Sequence, residues 1–230
     1  MDAPRTNPDL YAWETNAEYW DDYMGDESNV YHRELVRLAV TELLDPSPSE
    51  RILDIACGNG NYSAFLADMG AAVTAVDFSP RMVSLAGSRR NVNGRRIDFR
   101  VADACDEDDL MSLSVPGGYD GAVCNMAVMD MNDLDVLMRC VHRLLADGGA
   151  FVFSTQHPCF VTLTERYLTG HSYEGDALPG QPVRQNYHHR SLQDLLIPCF
   201  RAGFSVDGLR ETGLPGRETP EILIVRLRKA

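Results

Sequence analysis

The stretch 51–63, RILDIACGNGNYS, limits what this chain can fold into more than any other. An apolar run, Ile52, Leu53 and Ile55, leads straight into Ala56-Cys57-Gly58-Asn59-Gly60. Small residues there let the backbone turn tightly and approach a ligand with no Cβ in the way. The spacing predicts a strand, a turn and a helix. A second apolar run, 73–76, ends in Asp77, and the interval from Asp54 to Asp77 holds one crossover helix and one further strand, as a βαβ unit requires. In an open parallel sheet, ligands occupy the crevice beyond the carboxyl ends of the strands, and an acid closing the second strand commonly holds ribose hydroxyls.

Downstream, strands and helices alternate: strand 51–55, helix 61–69, strand 72–76, helix 80–91, strand 97–101, a short helix near 106–113, strand 119–124, helix 132–146 and strand 150–155. This predicts an α/β fold, a doubly wound Rossmann-like sheet with helices on both faces. Ser79 and Pro80 are placed to open a helix, and Asp147-Gly148-Gly149 to stop one. The tail segments FSVDGLRETG and EILIVRLRK add an antiparallel terminal pair and bring the sheet to seven strands. Residues 30–44 carry a helical stripe at Leu35, Leu38, Ala39 and Leu43. The segment 156–190, rich in Gly, Pro, His and Tyr, breaks the alternation after strand 5, ahead of a helix opened by Ser191 and Asp194. Insertions of that length usually serve as lids or binding loops. The expected organisation is a single structural domain: an N-terminal helical cap or lid over 1–45, and a Rossmann-like domain over 46–230 with 156–190 as its substrate-side insertion.

The glycine spacing departs from the dinucleotide pattern G-x-G-x-x-G, since Asn61, Tyr62 and Ser63 follow Gly60, and no Gly-Lys-Ser/Thr of a phosphate loop is present. The segment resembles motif I of the class I S-adenosylmethionine-dependent methyltransferases, with Ala56 in place of the first glycine. VTAVDFSPRMV (73–83), VADACD (101–106) and YDGAVCNMAVMDM (119–131) look like the family's second, third and fourth motifs, in the right order. The resemblance implies S-adenosylmethionine as cofactor. It maps cofactor binding onto Trp20, Arg33, Asp54, Ala56, Cys57, Gly58 and Gly60, then onto Asp77, Phe78, Met82, Asp103, Ala104, Asn125 and Met126. In the family the carboxylate at Asp103 accepts the adenine amino group and the backbone at Ala104 reads a ring nitrogen; a turn-capping Asp103 is the plainer alternative. The family's N-terminal pattern Tyr-Asp-x-x-Ala-x-x-Tyr maps onto Trp13-Glu14-x-x-Ala17-x-x-Trp20. The aromatics over 10–24, expected on one or two helical turns on either side of Asn16, read either as core or as faces toward a sulfonium, an arrangement worth about 0.5–2 kcal/mol. Arg33, in the first turn of its helix, is placed for the carboxylate of the cofactor's methionine part or for solvent.

Substrate contacts are expected from Tyr19, Trp20, Met129, His157, Tyr187 and His188. His157 and His188, with His189 as neighbour, are the candidates to take a proton near neutral pH, against a purely structural role. Met126, Met129 and Met131 fit either an adaptable pocket or core packing. No Asn/Asp-Pro-Pro-aromatic motif follows the fourth strand, so a flipped base is not suggested. The expected reaction is transfer of a methyl group to an O or N atom of a small molecule. Rivals are a peptide or protein methyltransferase, a non-methylating S-adenosylmethionine-binding module, and an NAD-dependent oxidoreductase, the last disfavoured by the missing glycine.

The formal net charge of −13 argues against nucleic acid and anionic membranes as partners, because phosphate binding relies on Lys and Arg. Arg89, Arg90, Arg95 and Arg96 read as a solvated cluster complementing a helix end. The 6 cysteines form no C-x-x-C pair and read as small buried hydrophobes in a reducing compartment, with no metal site. No apolar run approaches the ~20 residues that span a bilayer, and the first residues lack an apolar signal core. A cytoplasmic monomer or homodimer is expected.

Overall fold

In chain order the elements are α1 (Pro8–Met24), a π-helical stretch Tyr31–Arg37 running into α2 (Leu38–Leu44), β1 (Arg51–Ile55), α3 (Asn61–Asp68), β2 (Ala72–Asp77) and α4 (Pro80–Arg90). There follow β3 (Asp98–Val101), α5 (Glu107–Met111), β4 (Tyr119–Asn125), α6 (Asp135–Leu144), β5 (Leu145–Gln156) and α7 (Pro158–Val161). The chain ends with β6 (His171–Gly175), β7 (Gln185–His189), α8 (Leu192–Arg201), β8 (Phe204–Thr212) and β9 (Ile222–Lys229). These come from a computed structural model, which describes residues 7–91, 95, 97–161 and 166–229.

Seven strands form one sheet in the order β3-β2-β1-β4-β5-β9-β8. The five strands from β3 to β5 run parallel, and β9 enters antiparallel between β5 and β8. A strand covered on both faces needs apolar residues at odd and even positions alike. β1 meets this: Leu53 and Ile55 join the core built with α6, Phe151 and Phe153, while Ile52 joins the opposite core with Val40, Leu66 and Val152. The strand order reverses between β1 and β4, which leaves a crevice at their carboxyl ends. Ser79 caps α4, its Oγ accepting from Met82 N–H at 3.1 Å, and Ser191 caps α8, accepting from Asp194 N–H at 3.2 Å.

Several local expectations are corrected. The helix expected over 132–146 covers only Asp135–Leu144, because Leu145 pairs with Tyr119 and begins β5 early; Asp147-Gly148-Gly149 lies inside that irregular strand. Residues 10–24 form one helix through Asn16, which is buried and exchanges hydrogen bonds with the backbone of Val183 at 2.7 and 3.0 Å. The arginine cluster is not solvated. Arg90 is buried and donates to the carbonyls of Asn59, Asp26 and Gly25, Arg89 grips Asp21 through two nitrogens at 2.7 and 2.6 Å, and Arg95 pairs with Asp68. Arg96 lies outside the described residues. Cys159 is exposed, unlike Cys124, Cys140 and Cys199.

Within 156–190, of which 162–165 lie outside the described residues, β6 and β7 pair as an antiparallel hairpin. It meets α1, with Asn186 Nδ2 donating to Asp9 Oδ1 at 2.9 Å and Tyr19 Oη to the Pro179 carbonyl at 2.5 Å. On its other side α1 is tied to α4: Glu14 accepts from Ser79 Oγ at 2.5 Å and from Arg81 N–H at 2.9 Å, and Glu18 pairs with Arg81. No helix of the described residues is long and apolar enough to cross a membrane.

Candidate functional site

The ends of β1, β2, β3 and β4 open into one cavity of about 540 Å³, within the ordinary range of small-ligand sites. Its floor is made by the turns leaving those strands: Ala56, Cys57 and Gly58 after β1, Phe78 after β2, Asp103 and Ala104 after β3, Met126 after β4. Its roof is α1, which contributes Pro8, Asp9 and Trp13 from its first turns and Trp20 and Met24 from its last.

The floor is held by its own backbone. Cys57 N–H donates to the Val76 carbonyl at 2.9 Å, and Gly60 N–H closes back on the Cys57 carbonyl at 3.0 Å. Gly58 has φ +55°, and a Cβ there would stand 3.6 Å from Trp20 Nε1, so a side chain would meet both backbone strain and the roof. Gly60, with φ +72°, shares the backbone reason, but its Cβ would come within 2.9 Å of the Phe99 ring instead of meeting the roof. Ala56 and Met126 are not glycines yet have φ of 55° and 51°. Left-handed conformations cost such residues about 1–3 kcal/mol each and gather at ligand sites.

The carboxylates differ in environment. Asp77 accepts Gly58 N–H at 2.9 Å and Ser79 N–H at 3.0 Å, yet its burial pushes its pKa up to about 6. Asp54 is pushed up to about 7 by burial, against the Ser63 hydroxyl that donates to it at 2.5 Å. Asp103 Oδ1 accepts from Cys105 N–H at 2.8 Å, so the turn-capping role and a place on the cavity wall coexist.

At the other end the walls are aromatic and polar. Trp13 and Trp20 meet edge to face at 5.1 Å, and Trp20 contacts His32 at 6.1 Å. Burial, helped by Arg37, pushes the His32 pKa down to about 4, so the ring is neutral. Arg37 lies 5.3 Å over the Phe65 ring and donates to the Glu27 carbonyl at 2.6 Å. Asn61 donates to Asn59 Oδ1 at 2.9 Å, but its own Oδ1 is buried without a partner. A cavity with unpaired carbonyl and carboxylate oxygens, one arginine and facing indoles suits a compact ligand carrying positive charge, a carboxylate and a diol.

Of the expected cofactor residues, Trp20, Asp54, Ala56, Cys57, Gly58, Asp77, Phe78, Asp103, Ala104, Asn125 and Met126 come together on the cavity. Three do not line it. Arg33 turns outward toward Glu34 and Glu27, because the π-helical winding changes the phase of the stripe and brings Arg37 inward instead. Met82, in the first turn of α4, is fully buried, and Gly60 packs on Phe99. Of the expected acceptor-side residues only Trp20 lines the cavity. His157 is buried with both nitrogens occupied, Nε2 by Glu211 at 2.9 Å and Nδ1 by Cys159 N–H at 3.1 Å. Tyr187 donates to Gln185, Met129 Sδ faces Thr155, Tyr19 is spent on Pro179, and His188 Nδ1 meets Ser172 Oγ at 2.9 Å on the hairpin. The aromatics of α1 are not core: Tyr11 and Tyr23 are exposed and the two Trp residues face the cavity. Sequence reasoning missed Asp9, His32, Arg37, Asn61 and Asp130; the lone acid in the apolar run AVMDM was the available signal for Asp130.

Residues 52–149 match a family described as a methyltransferase domain. A ubiquinone biosynthesis O-methyltransferase of Xanthomonas euvesicatoria pv. vesicatoria is 30% identical over 200 residues, covering 86% of this chain and 76% of that protein. The protein of that name from Xanthomonas axonopodis pv. citri is 31% identical over 201 residues, with the same coverage, 86% and 76%. An S-adenosylmethionine dependent methyltransferase from Mesorhizobium loti superposes with a TM-score of 0.70 at 26% identity, covering 83% of this chain and 96% of that one. Magnesium protoporphyrin IX methyltransferase from Synechocystis PCC 6803 with bound SAH shares the fold, with a TM-score of 0.63 at 19% identity, covering 95% of this chain and 96% of that one.

Proposed function

The chain belongs to the class I S-adenosylmethionine-dependent methyltransferases, and from that premise we propose that it methylates an oxygen or nitrogen atom of a small molecule. The observation that carries the acceptor class is the roof over the strand ends: α1 lines the cavity with residues from its first turns and its last, which suits a compact acceptor better than a polymer. The O-methyltransferase names of the two Xanthomonas relatives support the same class.

The residues present fit S-adenosylmethionine. Asp77 would hold the ribose hydroxyls, Phe78, Asp103 and Ala104 would take the adenine, and the bent backbone of 56–58 would let the ligand lie against the strand ends. The partnerless Asn61 Oδ1 would receive the ammonium group, Arg37 in place of Arg33 would serve as counter-ion of the carboxylate, and the Trp13 and Trp20 rings would supply aromatic contact for the sulfonium. When bound, the cofactor supplies an activated methyl group. The protein's part is alignment, exclusion of water and removal of a proton where the acceptor needs it. The cap over 1–45 and the hairpin region of 156–190 serve as the closing parts, and the protein works as a monomer or homodimer without nucleic acid.

Calorimetric titration with S-adenosylmethionine and S-adenosylhomocysteine tests the cofactor site. Mass spectrometry of a bacterial metabolite extract incubated with methyl-deuterated S-adenosylmethionine tests the acceptor class: label confined to peptides or proteins would overturn it.

A further inference from the structure

The loop 126–131, between β4 and α6, is pinned through its backbone. Met126 N–H donates to the Ser154 carbonyl at 3.0 Å, Asp130 N–H to the Ala127 carbonyl at 2.9 Å, and the Met129 carbonyl accepts His188 N–H at 2.7 Å. Arg190 spends its guanidinium on the carbonyls of Val128 and Met131, at 3.3 and 2.6 Å, and not on a carboxylate. The loop so fixed presents Asp130 to the cavity wall, where its Oδ1 is buried without a hydrogen-bond partner. The nearby phenols are committed elsewhere: Tyr187 Oη donates to Gln185 at 3.1 Å and Tyr173 Oη to Gln156 at 3.3 Å. Leaving a buried carboxyl oxygen unpaired costs its full desolvation penalty, and such a group calls for a ligand or a catalytic role.

The surroundings specify the kind of ligand. Asp9 of α1 and Asp77 of β2 act on Asp130, Cys124 of β4 and Tyr173 and Tyr187 of the hairpin are the other titratable groups within its field, and no cation pairs with it among the described residues. A carboxylate acceptor would meet repulsion here, while an O–H or N–H would find an acceptor. Burial, with Asp9 and Asp77 adding to it, raises the Asp130 pKa well above the ordinary range: the protonated carboxyl is favoured, and the carboxylate, once formed as pH rises, is a stronger base than a surface aspartate.

We propose that Asp130 holds the acceptor at its reacting O–H or N–H and takes that proton, so that the acceptors are hydroxyl- or amine-bearing small molecules and not carboxylic acids. This rests on the methyltransferase reading above. As the acceptor's lone pair forms its bond to the methyl carbon, the carbon–sulfur bond breaks with its electrons passing to sulfur, and the acceptor proton passes to Oδ1, to be lost to water when the cavity opens.

The test compares the wild type with Asp130→Asn and Asp130→Ser. Titration with S-adenosylhomocysteine should give affinities within about threefold of one another, which also reports that the variants fold. Phenols and catechols, primary and secondary amines, and carboxylic acids are then incubated with methyl-deuterated S-adenosylmethionine. Label is expected only in the hydroxyl and amine compounds, with kcat lowered at least about 100-fold in Asp130→Asn and the rise of kcat/KM with pH lost. Infrared spectra of the wild type should show a buried carboxyl band that is absent from Asp130→Asn and shifts when catechol joins the S-adenosylhomocysteine complex. Retention of a third or more of kcat in Asp130→Asn would overturn the proposal. So would label in the carboxylic acids, an unshifted band, or no label in any hydroxyl or amine compound while the cofactor product still binds. Failure of the wild type to bind S-adenosylhomocysteine would instead overturn the cofactor reading.

Discussion

The floor and the roof of the cavity are held by different forces. Beneath the ligand space, β1 buries Ile52, Leu53 and Ile55 on both faces, and the turn after it is closed by main-chain hydrogen bonds. Above it, α1 buries only Ala12, Ala17 and Met24 among its apolar residues, and beside them Asn16 and Asp21. Its attachment is polar: Asp21 to Arg89 and Asn59, Glu14 to Ser79 and Arg81, Asn16 to Val183. Apolar burial at about 25 cal/mol per Å² makes the floor rigid, whereas hydrogen bonds net about 1 kcal/mol each because water competes for them. The floor should therefore set equilibrium affinity and the roof its kinetics.

Four measurements would break or sharpen that contrast. The largest effect is expected from Gly58→Val, which forces a β-branched residue into φ +55° against Trp20; calorimetry should show cofactor affinity reduced more than about 100-fold, and a smaller loss would mean that the floor yields. Asp77→Ala comes next, with affinity weakened more than about tenfold and the fold retained by circular dichroism; unchanged affinity would remove the ribose assignment. Arg89→Ala strips two charge-assisted hydrogen bonds from Asp21 and should cost about 2 kcal/mol of roof attachment. Hydrogen exchange should then quicken across α1 and not across β1, and cofactor dissociation should speed up far more than affinity falls. Equal quickening in both regions would erase the distinction.

The smallest effect is one of pH. In the folded chain Asp54 and Asp77, raised to about 7 and about 6, keep their protons over a range in which the unfolded chain has lost them. Folding then binds protons, and the stability of the ligand-free protein should decline as pH rises from about 4 to about 7. Thermal melts should show this as a melting temperature higher near pH 5 than near pH 8. Positively charged S-adenosylmethionine should offset the decline more than its uncharged-sulfur product does, and a flat profile would place both carboxyls back in the ordinary range.

The floor was legible in the sequence because its determinants are local. A strand that ends in Asp54-Ile55-Ala56-Cys57-Gly58 dictates its own turn, and Asp77 and Asp103 follow at the ends of the next strands by the same rule. The roof and the acceptor end were not, because their residues meet only in three dimensions. Arg33 was chosen for its place in the first turn of its helix, whereas Arg37, at the end of the π-helical stretch Tyr31–Arg37, is the arginine that lines the cavity. His157 sits just past a strand end, as expected, but Glu211 of β8 and the Cys159 backbone occupy it from elements whose approach no spacing announces. Asp130 and Asp9 lie far apart in the chain, and only the hairpin and the first turn of α1 bring them to one wall.

One feature of α1 bears on the order of events in a turnover. The helix has 17 residues, a rod of about 25 Å, and residues near both of its ends reach the same chamber. A single stiff bar across that one chamber makes one door for cofactor and acceptor alike. Exit of the spent cofactor and entry of the next acceptor would then share one gating motion, with steady-state kinetics that report a common opening step.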